Sequence, residues 1–319
     1  NNQIHQDMLD YYGVHTYHAI DDPNNTYIDH IDCWAKFLSP QKVIIREVST
    51  SHAQYDEIEE VVDYFENMVN GYGEPWEIYR VYTPSNQPYT NSLILNNKAI
   101  VPITNSSWDD EALDVYQEAL PGYEVLGFTG SWESTDALHC RAKGIPDLQM
   151  LQIFHNPIDD QIESLQSYTV EAIIDDLSNE GLIDDELKVF WWTNEMDESE
   201  ELLMSVCDWD IPDCYIADIP GLSYDSEIKY YIQAIDYSGR VETLPIAGYY
   251  SFSAVAGLTF DDGDVNLDNE LNVLDIVLTV NYVLGSGELT SSQQQIADMN
   301  NDSIINILDI ILIVNEILG

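Results

Sequence analysis

The chain has 319 residues, 45% of them hydrophobic, and sets 58 Asp and Glu against 10 Lys and Arg for a formal net charge of −48. That length predicts two or three domains with real cores. That charge excludes phosphate backbones and anionic membrane surfaces as partners, and suits cationic substrates, metal cations or a saline medium. No apolar run reaches the ~18 residues of a membrane span. The chain starts at Asn1 rather than Met and shows no signal sequence, which reads as a mature product or as a fragment of a longer one.

Residues 1–147 alternate strand and helix signals. Lys42 to Val48 reads as a strand, and Tyr55 to Val69 places Ile58, Val61, Val62, Phe65, Met68 and Val69 on one helical face. Glu77 to Thr83 is a second strand. Asn91 to Leu95 and Ala99 to Ile103 form a hairpin about Asn96-Asn97. Asp109-Asp110-Glu111 put acids at the positive end of a helix that Pro121-Gly122 stops, and Tyr123 to Thr129 is another strand. The order strand, strand, helix, strand describes a compact α/β module.

From Leu148 to about Gly257 helical periodicity disappears. Tyr168 to Ile174, Leu187 to Thr193, Cys214 to Ile219 and Glu227 to Ile235 are rich in aromatic and β-branched residues. Strands at this spacing predict an all-β, immunoglobulin-like sandwich over 148–257, without the Cys, Trp, Cys spacing of an antibody domain and without a catalytic constellation. Of the four cysteines, Cys207 and Cys214 could close a small loop in an exported protein, while Cys33 and Cys140 are expected as free thiols.

Residues 258–319 contain an internal repeat with a period of thirty-four residues. Loop positions 1, 3, 5, 9 and 12 recur as Asp264, Asn266, Asp268, Asn272 and Asp275, then as Asp298, Asn300, Asp302, Asn306 and Asp309. A loop that wraps oxygen donors around one hard cation needs that spacing, with a backbone carbonyl at position 7, here Glu270 and Ile304. An apolar helix follows each loop, Ile276 to Leu284 and Ile310 to Leu318. The pair resembles a dockerin domain. That resemblance implies a small all-α unit holding two structural Ca2+ ions, a cohesin-like partner, and a secreted or cell-surface location. Asn269 and Ser303 stand where such loops carry Gly, which predicts a weaker second site. Val273-Leu274 and Ile307-Leu308 fall at the positions where dockerins select their cohesin.

Three motifs carry the chemistry: His30-Ile31-Asp32-Cys33-Trp34-Ala35-Lys36-Phe37-Leu38; Asn91-Ser92-Leu93-Ile94-Leu95-Asn96-Asn97 followed by Val101-Pro102; and Leu138-His139-Cys140. A nucleophilic thiol needs cationic or imidazole neighbours, and Cys140 has His139, Arg141 and Lys143 in a chain poor in basic residues. A guanidinium is planar and permanently charged, so it calls for carboxylates such as Asp32 that accept two N–H groups. Together the motifs resemble the Porphyromonas-type peptidylarginine deiminase and agmatine deiminase family over most of residues 11–147. The resemblance implies a pseudo-fivefold α/β propeller with a central site. Within it Cys140 is the nucleophile, His30 the acid and base, Asp32 the clamp and Asn91 an orienting group. It implies no catalytic cofactor.

The sandwich after the deiminase segment resembles the arrangement in the bacterial peptidylarginine deiminases, a resemblance that implies an arginine-containing peptide or protein rather than agmatine as substrate. His139, next to Cys140 on an expected strand, should point to the opposite face and serve structure. The stretch from His30 to Cys140 suffices for about half a propeller. Residues 1–29 offer no match to the family's second carboxylate clamp, and no arginine answers to the one that holds a peptide's C-terminal carboxylate. Asp29 and Asp136 stand where the family commonly has glycine. The expected organisation is a partial deiminase domain over 1–147, the sandwich over 148–257 and the dockerin over 258–319. A competing reading makes the chain an inactive Ca2+-binding adhesion or scaffold module. A zinc site of His30, Asp32, Cys33 and Cys140 lacks the paired CxxC spacing of structural zinc sites, and a cysteine peptidase lacks His and Asn partners in papain-like order.

Overall fold

A computed structural model describes the chain except residues 1, 15–16, 26–27, 29, 162–164, 197, 208–210, 223, 256–262, 267–269, 288, 290, 301–303 and 319. It divides into two compact units, one of residues 1–160, 168–219 and 227–253, the other of residues 161–167, 220–226 and 254–319.

The first unit opens with helix α1 (Asn2–Tyr12), a polar helix the sequence reading did not anticipate. Two modules of identical path follow. In the first, β1 (Ala35–Phe37) pairs antiparallel with β2 (Lys42–Glu47), α2 (Tyr55–Glu66) crosses over, and β3 (Glu77–Tyr82) pairs parallel with β2. In the second, β4 (Leu93–Leu95), β5 (Lys98–Ile103), α3 (Asp109–Ala119) and β6 (Glu124–Thr129) repeat the arrangement, with β4 and β5 antiparallel and β5 and β6 parallel.

The continuous apolar run of β2 follows from burial on both faces. Val43 and Ile45 pack under Ile58, Val61, Val62 and Phe65 of α2, while Ile44 joins a core with Ala112, Tyr116 and Ala119 of α3. Each module thus lends its helix or its sheet to the next. Asp109 holds the start of α3 by accepting the N–H groups of Thr104 and Ser106 and the Tyr89 hydroxyl at 2.7 Å. The two three-stranded sheets stay separate and open, so the pseudo-fivefold propeller is not seen. What is seen is two ββαβ modules.

Strands β7 (Leu151–Phe154), β8 (Ser167–Asp176), β9 (Lys188–Trp192), β10 (Glu200–Leu203), β11 (Ser205–Val206), β12 (Cys214–Pro220), β13 (Ser226–Ile235), β14 (Val241–Leu244) and β15 (Tyr250–Ala254) form two sheets. One runs β11-β12-β8-β7, the other β10-β9-β13-β14 with β15 on β13. Alternate residues turn inward: Tyr168, Val170, Ala172 and Ile174 from β8, and Ile228, Tyr230, Ile232 and Ala234 from β13. Tyr168 meets Phe252 at 5.0 Å between ring centroids, joining the sheets into a sandwich. Cys207 and Cys214 are disulfide-bonded across the β11–β12 turn, and Cys33 and Cys140 are free.

The second unit contains α4 (Val273–Val283), α5 (Ser291–Ala297) and α6 (Ile307–Leu318) around Val265, Leu289, Ala297 and Ile313. Both apolar helices start three residues earlier than the sequence reading placed them. The reason is a cap built from the loop itself. Asn272 accepts from the Leu274 N–H while Asp275 accepts from the Asn272 N–H, and Asn306 and Asp309 repeat the device with Leu308.

Candidate active site

His30 is extended and leads into a single 3-10 turn, Ile31–Cys33, that buries Asp32 and Cys33. The turn is anchored from two directions. Thr90 donates its hydroxyl to the Asp32 carbonyl at 3.0 Å, and Asn24 donates its amide to the Cys33 carbonyl at 3.1 Å. Asn24 is in turn gripped at 2.7 Å by Arg46, a buried guanidinium from β2 that also donates to Thr83 and Asn86. Burial lowers the Arg46 pKa to about 10. Arg46 thereby holds Asn24, and through it the Cys33 carbonyl, in place.

Asn91 precedes β4 and is fully buried. Its carbonyl oxygen and side-chain oxygen both accept from the His139 N–H, and the side-chain oxygen also takes the Cys140 N–H at 3.3 Å. Its amide donates to Cys140 Sγ at 3.1 Å. One asparagine therefore holds both the backbone and the sulfur of the cysteine segment. Behind it, the buried Tyr116 hydroxyl donates to the Tyr89 carbonyl and lies 2.8 Å from Ser92 Oγ.

Cys140 sits in a second 3-10 turn, His139–Arg141. The expectation of a strand here fails, and with it the placement of His139 on the face opposite Cys140. In a 3-10 turn neighbouring side chains are not forced apart. Asp32 Oδ2 accepts from His139 Nδ1 at 2.6 Å and from the Cys140 thiol at 3.3 Å. His30 Nδ1 stands 4.0 Å from Asp32 Oδ1, and the Cys33 thiol faces that oxygen at 3.9 Å.

The basic neighbours do not activate the thiol as the sequence suggested. Arg141 is tied to Asp136 at 2.9 Å, donates to the Ser131 carbonyl and lies over the Trp132 ring, while Lys143 is exposed. Burial instead pushes the Cys140 thiol above its ordinary value; the Asn91 hydrogen bond opposes this and the Asp32 carboxylate adds to it. A cavity of about 1010 Å³ opens beside Asp32, His30 and His139, and Asp21, Asp22 and Glu57 also line it. No Lys or Arg is among its described lining residues. Sequence reasoning found no second carboxylate in residues 1–29. Asp21 and Asp22 reach the cavity through a turn at Asn25, whose φ of 47° no periodic pattern announces.

The loop ligands in the second unit fit a hard cation. Asp264, Asp275 and Asp309 are fully buried, and residues 258–319 contain no Lys, Arg or His to neutralise them. Asn272 and Asn306 each donate their side-chain amide to the position-7 carbonyls of Glu270 and Ile304 at 2.8 Å. Asn266 and Asn300 are tied by their N–H groups to Asp275 and Asp309. Asp298 opens the second loop; Asp268 and Asp302, with Asn269 and Ser303, lie outside the described residues.

A buried carboxylate, an amide and a thiol thus meet from three segments, and the carboxylate, Asp32, also lines the acid-rich cavity. Residues 1–146 match the family model of Porphyromonas-type peptidyl-arginine deiminase, and residues 262–318 match that of the dockerin type I domain. An agmatine deiminase of Medicago truncatula is 25% identical over 152 residues, 38% of this chain and 40% of that protein. The chain therefore spans well under half the length of this relative. Two solved structures are also similar. One, from Porphyromonas gingivalis and described as an arginine deiminase, has a TM-score of 0.37 and 22% identity over 44% of this chain and 45% of its own. The other, an agmatine deiminase of Enterococcus faecalis, has a TM-score of 0.38 and 18% identity over 44% and 47%.

Proposed function

We propose that the chain carries the nucleophile half of a hydrolytic deiminase that converts peptidyl-arginine to peptidyl-citrulline and ammonia. The observation that carries this reading is the meeting at one sulfur of Asn91 at 3.1 Å and Asp32 at 3.3 Å. In the resting site the thiol is protonated and donates to Asp32. A guanidinium entering the cavity brings the positive charge that the Cys140 thiolate otherwise lacks and competes with His139 and the thiol for Asp32. As the sulfur attacks the guanidinium carbon, the thiol proton passes to His30, which hands it to the departing nitrogen; the C–N bond breaks, ammonia leaves and a covalent thiouronium remains. Water activated by His30 then adds to the same carbon, the C–S bond breaks, and the ureido group of citrulline departs.

We read residues 1–147 as the deiminase part, 148–257 as an immunoglobulin-like spacer and 258–319 as a dockerin. In the dockerin the loop residues Asp264, Asn266, Asp268, Glu270, Asn272 and Asp275, and Asp298, Asn300, Asp302, Ile304, Asn306 and Asp309, would hold two Ca2+ ions that neutralise the buried carboxylates. Attachment to a cohesin-like partner outside the cell or on its surface fits that part. The competing role, an inactive scaffold module, predicts Ca2+ binding without citrulline. Incubation with an arginine-containing peptide and, separately, with agmatine decides between them. Citrulline in the peptide that disappears with Cys140→Ser and Asp32→Asn supports the proposal, and product from neither substrate overturns it.

A further inference from the structure

We propose that His30, Asp32 and Cys140 form a binding site for a divalent ion of the zinc class, and that this ion and a guanidinium exclude each other. A nitrogen, an oxygen and a sulfur donor from these residues all lie within 4.8 Å of one another. His30 Nδ1 lies 4.0 Å from Asp32 Oδ1, and Cys140 Sγ lies 3.3 Å from Oδ2, the other oxygen of the same carboxylate. Bonds of ~2.0–2.3 Å in a tetrahedral zinc site set donors about 3.3–3.7 Å apart. A small inward turn of the exposed His30 ring therefore completes a three-residue set whose fourth position stays open to water.

The donor chemistry selects the ion. Thiolate with imidazole and one carboxylate suits zinc-class metals, whereas the all-oxygen loops of residues 264–275 and 298–309 suit Ca2+. The supporting contacts that hold metal ligands in place are also built. His139 fixes the Asp32 carboxylate at 2.6 Å, and the Asn91 amide orients the sulfur at 3.1 Å. When the ion binds, the sulfur–metal bond forms as the thiol proton leaves to solvent, with no change of oxidation state. The exclusion half of the proposal rests on the function proposed above, because the ion takes the sulfur that would attack and the carboxylate that would hold the substrate.

The test uses the full chain, first saturated with Ca2+, and Co2+ as a spectroscopic probe. A sulfur-to-cobalt charge-transfer band should grow to one equivalent and vanish on addition of Zn2+. Cys33 is the other free thiol, so Cys33→Ser should keep the band and Cys140→Ser should lose it with an unchanged circular dichroism spectrum. His30→Ala should weaken Co2+ binding by at least the roughly tenfold that loss of a mere supporting residue costs. Benzoyl-arginine amide at saturation should weaken it too. No band in the native chain, or a band kept in Cys140→Ser, overturns the site. Co2+ affinity unchanged in His30→Ala overturns the ligand set, and affinity unchanged by benzoyl-arginine amide overturns the exclusion. A band in a chain that forms no citrulline supports the site and counts against the proposed reaction.

Discussion

Asp32 is the residue on which the site turns. Its buried carboxylate faces the Cys140 thiol, the His139 ring, the Cys33 thiol and, at longer range, His30. A carboxylate beside a thiol disfavours the thiolate, and burial acts in the same direction on Cys140. Alkylation by iodoacetamide reads the thiolate directly. The inflection of its rate with pH should lie above the ordinary thiol value in the native chain and move down in Asp32→Asn, where the negative charge is gone. Superimposable profiles would contradict this account. The sequence named His30, Asp32, Asn91 and Cys140 because each belongs to a motif of several residues, and the fold brings them near one another. The side to which His139 points was misread because a period of two was applied to a segment that turns as 3-10 helix.

Among the elements, two turns and one imidazole make specific demands. Gly122, after α3, and Gly248, before β15, have φ of +87° and +76°, and a Cβ on Gly122 would collide with the Gly248 backbone. Gly122→Ala should therefore destabilise the first unit by roughly 1–3 kcal/mol, through positive φ and through the lost close approach. A urea midpoint equal to that of the native chain would refute it. The imidazole is His155, buried after β7. Its Nδ1 donates to the Glu171 carbonyl at 2.7 Å and its Nε2 accepts from the Tyr230 hydroxyl at 2.8 Å. Burial lowers its pKa, so the folded sandwich holds it neutral where the unfolded chain would bind a proton. Its contribution to stability is present above the ordinary imidazole value of about 6.5 and is lost as pH falls below it. Thermal melts from pH 8 to 5 should show a drop that His155→Gln flattens, and parallel curves would argue against the assignment.

The whole molecule is dominated by its charge of −48. Self-repulsion of that size opposes compact folding, and salt screens it within roughly 10 Å at 0.1 M. The melting temperature should rise between low and molar NaCl; an unchanged value would mean that the acids are neutralised locally instead. In the second unit the proposed neutralising agent is Ca2+. Calorimetric titration of the full chain should show two sites of unequal strength, and chelation should reduce helical circular dichroism. Asp264→Ala and Asp298→Ala should each remove one site, the second from the weaker loop. No loss of a site in either variant would overturn the loop reading.

The sequence by itself determined whatever local chemistry dictates. The second ββαβ path, the strand-helix-strand core of the first, four of the sandwich strands and the loop-helix repeat follow from periods of two, of three to four, and of thirty-four residues, whereas the short strand β1 was not anticipated. Tertiary structure decided what depends on contacts between segments distant in the chain. Only folding shows that Asn91 grips the backbone and sulfur of Cys140, that Arg141 is held by Asp136, and that Asp21 and Asp22 line the cavity. Only folding shows that Cys140 is pushed toward its protonated form. A pKa and a hydrogen-bond partner are set by burial and by neighbours in space, and neither leaves a periodic trace in the order of residues.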